Sequence, residues 1–454
     1  MKKSCATLLA MMLLGTLMYA QTQTSQPQTI TLDQALSIAF ERNVNVAQAS
    51  NNLDLANVAV TAAYGLYVPQ PAVQAYYSRT GFSTPASVRT IAGLPFVVPR
   101  TDTYYNTFYG SVGLTYTLFD GFNREATFGT AKASEVQAKD TYERTRQSIA
   151  FSVMSSYFTV IQDEQQVKVL QENLANQKRQ LDRITEQNRL GAVAIGDVYR
   201  QQSLVAQAEY NLISGQNQYD KSKADLLNTL ALDVNKDYVI ADPTIATQIK
   251  QVETDQGVDS LGEFGELFNK ALSSRLDYAA AQEGVNIADL GITQAWSSYY
   301  PSINLNGSLS TNAQDWATAS TWDNRSTNVG LSASWTLPNI FNSLERIQSA
   351  DITKKNAVLQ LQQSARNIGV ALKKALLDLD AARKQYVASQ KSQIAAGQDR
   401  KTAEAKYNLG SGTLLDLQVA DATYLSAQLT TLANAYNYII LKKNLELVIG
   451  EKKY

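Results

Sequence analysis

The chain has 454 residues, 18% charged and 44% hydrophobic, with Lys+Arg 40 against Asp+Glu 41, no histidine and one cysteine, Cys5. That balance lacks the basic excess that nucleic-acid binding requires, so no nucleic-acid partner is expected. Without His, and with a single Cys, there is no disulfide framework, no Cys/His zinc site and no Ser-His-Asp or Cys-His nucleophile. No phosphate loop, HExxH pattern or nucleophile elbow occurs, and the carboxylates fall on helix faces among Gln and Lys. The chain therefore reads as a non-enzyme without catalytic residues, metal ligands or a cofactor.

At the N-terminus, Lys2 and Lys3 precede an apolar run from Leu8 to Met18 and the small Ala20. This predicts a secretory signal over residues 1–20, too short in its apolar part to anchor in a bilayer. Its removal would take the formal charge from −1 to −3 and take Cys5 with it. A short amphipathic segment, "LDQALSIAFERN", begins at Leu32, and helical spacing then runs from about Asn43 to Leu66 until Pro69 stops it.

Strands are predicted at about 70–79 and 105–118. In the second, Phe108, Val112, Leu114, Tyr116 and Leu118 share one face, while Thr107, Ser111, Gly113, Thr115 and Thr117 share the other. The loop between them carries an apolar stretch from Ile91 to Val98, including Ile91, Leu94 and Phe96. Such a stretch should not stand free in water and is expected to fold over or inward past the strand ends, or to pack on the neighbouring loop "DWATASTWDN". From Phe122 to about Asn188 no proline interrupts a helical pattern. A helix of that length would extend ~100 Å and needs a partner. It breaks at "NRLGAVAIGDVY", returns from about Asp197 to Leu230, and leads into a connector that ends near Ser260.

The second part of the chain repeats the first. "LGEFGELFNKALSSR" at Leu261 is a second short amphipathic segment, strands are predicted at about 302–311 and 326–337, and a long helical hairpin follows at about 341–450. Its break, "YNLGSGTLLDLQ", places Gly410 219 residues after Gly191, and the offset holds without a gap for roughly 110 residues. Two tandem structural repeats, residues 21–260 and 261–454, are expected after the signal. The first is longer by 13 residues, which fall between Tyr77 and Val112.

Four strands of about ten residues, apolar on one face and small and polar on the other, suit a membrane barrel with a wet lumen. Two soluble hairpins on a core would share the pattern, and the very long helices favour the barrel. Four strands cannot close, and an open edge cannot stand in lipid, so the chain must oligomerise. Two copies give eight strands around a filled interior, whereas three give twelve around an aqueous bore.

The opening "TLDQALSIAFERNVNV", the strand-to-helix "LTYTLFDGF" and the doubled LGxxxxxD resemble the TolC family of bacterial outer-membrane efflux and export ducts, over essentially everything after the signal. The resemblance implies a mainly α fold with a membrane β-barrel. Each chain would give four strands and long coiled-coil helices, and the homotrimer a 12-stranded barrel and an α-helical periplasmic tunnel. It implies location in the outer membrane of a Gram-negative bacterium, contact with outer-membrane lipid, and docking to a periplasmic adaptor (a membrane fusion protein) and an inner-membrane pump. The function implied is passive, gated conduction of substrates outward, in efflux or type I secretion.

The doubled phrases are then the helical tips. Leu190, Gly191, Gly196, Leu409, Gly410, Gly412 and Thr413 form the turns and the adaptor contact, and the glycines supply the left-handed backbone that ends a helix. Asp197, Tyr407 and Asp416 match the family's tunnel entrance, where Asp197 and Asp416 serve equally well as helix caps. The family's arginine position is Gly412 here and its second aspartate position is Val419, with Asp421 two residues later. The entrance is expected to be a weaker gate with a single carboxylate ring. A coiled-coil scaffold or adaptor without a pore remains the alternative, although neither repeats strands and helices twice.

Overall fold

A computed structural model describes residues 28–241, 262–321, 324–335 and 340–451. The secretory signal, most of the connector, Leu261 and the last two residues of the fourth predicted strand lie outside the described residues. The chain divides into two compact units, each drawing on both halves of the sequence. One comprises Gln48–Thr145 and Phe268–Ala371; the other comprises the described parts of Met1–Ala47, Arg146–Leu267 and Leu372–Tyr454.

In the first unit, β2 (Gln70–Thr84), β5 (Thr101–Phe119), β7 (Ser302–Ala313) and β8 (Arg325–Ser334) form an antiparallel sheet in the order β2-β5-β7-β8. Its register aligns the two side-chain sets across all four strands. Val73 stands opposite Val112 and Val112 opposite Leu309, while Tyr116, Leu305 and Leu331 form another apolar row. On the other face Gln74, Ser111, Ser310 and Ser326 align. There Thr115 donates to the Asn306 amide oxygen at 3.2 Å and Asn306 donates to the Ser332 hydroxyl at 2.8 Å. The apolar side is uncovered in the single chain, where Val73 is 77% and Val329 76% exposed.

The sheet differs from the sequence reading in several details, beginning with length: β2 runs on to Thr84 and β5 starts at Thr101, beyond the predicted 79 and 105. A bulge between Thr117 and Phe119 sets Phe119 opposite Ile303, so strict alternation ends before Leu118. The apolar stretch in the first loop also pairs with itself: β3 (Ser87–Ile91) and β4 (Leu94–Val98) form a hairpin closed by Ala92 and Gly93, both at positive φ. Ile91, Leu94 and Phe96 stay exposed instead of being buried on the other loop, because local pairing satisfies the backbone first.

The sheet passes into helix α3 (Asn123–Arg189) through Gly121 and Phe122, both at positive φ. A Cβ on Gly121 would fall 2.6 Å from the Ser297 carbonyl at the end of α6 (Leu276–Ser297), so only glycine fits. Phe119, Phe122 and Tyr300 meet edge to face around this corner. The unit also holds most of α2 (Val44–Tyr64), most of α5 (Phe264–Ser274), the short α7 (Trp316–Thr321) and the first part of α8 (Ile340–Asn408). Helix α2 ends two residues before the predicted Leu66, in a 3-10 turn ahead of Pro69.

The second unit is built on the remainder of α3 and α8 with α4 (Ile195–Thr229) and α9 (Leu414–Ile449). Helices α8 and α9 begin and end within two residues of the positions that the 219-residue offset projects from α3 and α4. The core between these helices is fully buried at Val153, Tyr157, Leu226, Leu372, Leu379 and Tyr436, and burial pushes the Tyr436 phenol up to about 12. Helix α1 (Leu32–Arg42) starts on a capping box between Thr31 and Gln34. Asn43 donates to the Thr229 carbonyl at 2.9 Å, so the start of α2 meets the end of α4. The parallel pairing of β1 (Gln28–Ile30) with β6 (Tyr238–Ile240) was not apparent in the sequence. Three-residue strands carry too little alternation to register, and Tyr157, donating to the Ile30 carbonyl at 3.0 Å, secures this one from a distant helix.

Candidate functional site at the helical tips

Both long hairpins reverse by the same backbone geometry. In the first, the Gly191 N–H donates to the Asn188 carbonyl and the Ala192 N–H to the Gln187 carbonyl; in the second, Gly410 donates to Tyr407 and Ser411 to Lys406. These paired bonds form a Schellman turn, which requires a left-handed residue, and Gly191 and Gly410 have φ +76° and +73°. Gly412 is required for a different reason, since a Cβ there would sit 2.9 Å from the Lys406 Cβ. Gly196 lies inside the first turn of α4 with open space around it.

The return helices start differently. Thr413 caps α9 in a reciprocal box: its hydroxyl accepts from the Asp416 N–H at 3.1 Å, and its own N–H donates to the Asp416 carboxylate at 3.1 Å. The Thr413 hydroxyl also donates to that carboxylate at 2.7 Å, and these bonds hold the Asp416 carboxyl below the usual carboxylate range. Helix α4 starts at Ala194 with no side-chain cap, and Asp197 faces Arg200 at 3.7 Å in its first turn.

The two tips pack on each other. Ile184, Val198 and Leu414 form a buried cluster, with Leu181, Val193 and Tyr407 against it. Around it Tyr407 donates to the Gln187 side chain at 3.1 Å and Arg183 donates to the Asn408 side chain at 2.8 Å. Gln418 donates to Gln201 at 2.9 Å, and Gln201, fully buried, donates to Gln177 at 2.7 Å. Burial raises the Tyr407 phenol; Arg183 opposes the shift and Asp197 adds to it. Tyr407 is thus hydrogen-bonded to Gln187 and only electrostatically coupled to Asp197. Outermost are Leu190, 68% exposed, and Leu409, 83% exposed.

Sequence reasoning named the tip turns but missed the residues between hairpins: Arg183, Gln187, Gln201, Asn408 and Gln418. The repeat offset is the signal that could have found them, because Gln187 and Tyr407 are 220 positions apart and Gln201 and Gln418 are 217. Asp421, two positions after Val419, belongs to another arrangement. It accepts from the Arg400 Nε at 2.6 Å, and Arg400 lies over the Tyr424 ring at 5.4 Å. Burial raises the Asp421 carboxyl, outweighing the guanidinium beside it.

The profile of a family described as "Outer membrane efflux protein" matches residues 18–232 and 267–451. Among curated proteins, Outer membrane protein TolC of Escherichia coli (strain K12) is 24% identical over 362 residues, covering 76% of this chain and 70% of that protein. Protein CyaE of Bordetella pertussis is 24% identical over 318 residues, covering 70% of this chain and 65% of its own length. Among solved structures, CusC superposes with a TM-score of 0.78 at 15% identity, covering 92% of both chains. The open-state MtrE outer membrane channel of Neisseria gonorrhoeae gives 0.75 at 16% identity, covering 92% of this chain and 88% of that one. At such identities the structures speak for the fold.

Proposed function

The chain belongs to the outer membrane efflux protein family, an outer-membrane protein of Gram-negative bacteria, and from that premise we propose that three copies form a passive, gated duct from a periplasmic adaptor and inner-membrane pump to the outside. The observation that carries this reading is the four-stranded sheet, whose exposed apolar face matches lipid and whose opposite face is small and polar. Strands β2 and β8 end the sheet order, and each would pair with the other strand of a neighbouring copy, so that three copies close at twelve strands. Exposed Phe341, Ile352, Leu359 and Val370 fall on one stripe of α8, while Leu55 and Val58 are exposed on α2. These stripes supply a head-to-tail contact between neighbours.

The tips would hold the entrance. Three copies bring Asp197, Tyr407 and Asp416 toward a common axis, and the bonds from Tyr407 to Gln187 and from Arg183 to Asn408 keep each second hairpin on its first. Exposed Leu190 and Leu409, with the turns at Gly191, Gly196, Gly410, Gly412 and Thr413, would form the surface that an adaptor meets. Planar-bilayer conductance of the purified protein beside its Asp197→Ala and Tyr407→Phe variants tests the reading. Small steps that grow in the variants support a gate at the tips. Large, equal steps in all three keep the duct and remove the gate, and no steps would leave a helical scaffold.

A further inference from the structure

The register of the sheet sorts its residues strictly by charge. On the face shared by Gln74, Ser111, Asn306 and Asn328, no residue of the four strands is charged; the acidic and basic residues of the strands, Arg79, Asp102 and Arg325, all fall on the opposite face near the loop ends. The uncharged face is mainly Ser, Thr, Asn and Gln until it approaches the loops, where its character changes. There Tyr76 stacks on Tyr109 with ring centroids 4.9 Å apart and planes 25° apart, and Phe82 meets Tyr105 edge to face at 5.8 Å. Tyr76 is 54% exposed, so its ring surface is available.

An aromatic girdle against lipid would stand on the other face with Val112, where Tyr77 and Phe108 already meet at 4.8 Å. Tyr76 and Tyr109 instead share their face with the Asn and Ser ladder. Aromatic rings on a wet face offer π-surface to planar solutes, and no strand residue on that face carries a charge to attract or repel an ion.

We infer that this face is a charge-free exit passage with a contact site, centred on Tyr76 and Tyr109, for uncharged planar aromatic solutes. The inference rests on the duct reading, since it needs the polar face to line a bore. It assigns the sheet a task of its own: ring surface that acts on cargo, apart from the gate proposed at the tips. The competing role of the tyrosine pair is purely structural, a cross-strand contact holding β2 to β5.

Single-channel recording with caffeine added on the loop side, and mannitol as a neutral non-aromatic control, separates these roles. Caffeine is expected to reduce the current in the unaltered protein while mannitol at equal concentration does not. The half-blocking concentration should rise about tenfold in Tyr76→Ser/Tyr109→Ser, as expected for loss of a ring contact, and return to within about twofold in Tyr76→Phe/Tyr109→Phe, which keeps the rings. Equal block by mannitol, or caffeine block unchanged by the serine pair, overturns the contact site while leaving the duct. Should the serine pair fail to insert, single Tyr109→Leu, apolar but without a ring, must still weaken the block. A protein that conducts nothing overturns the duct reading and this inference with it.

Discussion

The two tips reach one backbone path by different chemistry. Both reverse on a Schellman turn at a left-handed glycine, 219 residues apart in the chain. At the first, Val193 and Val198 are drawn into the apolar cluster, Asn188 donates to the Val193 carbonyl at 2.8 Å, and no side chain caps α4. At the second, Gly412 allows close approach to Lys406, and Thr413 with Asp416 caps α9. Both tips thus share the buried cluster, to which the second adds Leu414 and Tyr407, and only the second adds a polar side-chain cap. Turn geometry is common to both hairpins, while the means of holding it can differ between them.

Substitutions can break or sharpen that contrast. The largest effect is expected from Ile184→Ala, which opens a cavity in the cluster shared by both tips and should cost about 3 kcal/mol; hydrogen exchange should then accelerate at both turns, and acceleration confined to the first would show that the tips stand independently. Gly191→Ala and Gly410→Ala should each cost roughly 1–2 kcal/mol for the left-handed backbone. Gly412→Ala should add strain at the second tip alone, read as earlier tryptic cleavage after Lys406.

Capping distinguishes the tips next. Thr413→Ala should lose about 1 kcal/mol, whereas Ala194→Ser should gain up to about 1 kcal/mol by supplying the missing cap, both measured by local exchange. At the far ends of the hairpins the asymmetry runs the same way: Gly450 occupies the left-handed position after α9, but Ala231 occupies its counterpart after α4 at φ +52°. Ala231→Gly should therefore stabilise by roughly 0.5–1 kcal/mol in thermal unfolding, and Gly450→Ala should not.

The smallest effect is expected from pH. The folded Asp416 carboxyl lies below its ordinary value of 3.8, so its contribution is fully present above 3.8 and is lost as pH falls through the lower, folded value. Exchange at Ser411–Thr413 should rise under that acidification, and Asp416→Asn should remove the dependence without changing the first tip. Equal acid sensitivity at both tips would remove the capping box as its cause.

Much of the architecture was legible in the sequence. Absence of proline through residues 123–189 and period-two alternation along β5 up to Thr117 each report a local backbone preference that the final fold kept. Less was legible where a neighbour decides. The bulge before Phe119 cannot be read from alternation alone, since it follows from a pairing partner 184 positions away, Ile303. The resemblance matched Asp197 and Tyr407 to one family site but gave no contact partner, and the tyrosine hydroxyl donates to Gln187, in the last turn of α3.

By itself, then, the sequence determined what is local: helix lengths, the glycines at the turns and the two faces of each strand. These follow from steric limits and side-chain periodicity within a few residues of each position. Tertiary structure alone decided which polar side chains would meet between the hairpins, that Asp421 would turn to Arg400, and that the tyrosines of β2 and β5 would stack on the uncharged face. Those outcomes depend on strand register and helix rotation, which are fixed only when distant segments bury their apolar faces together, and a shift of one residue would have sent each side chain to another partner.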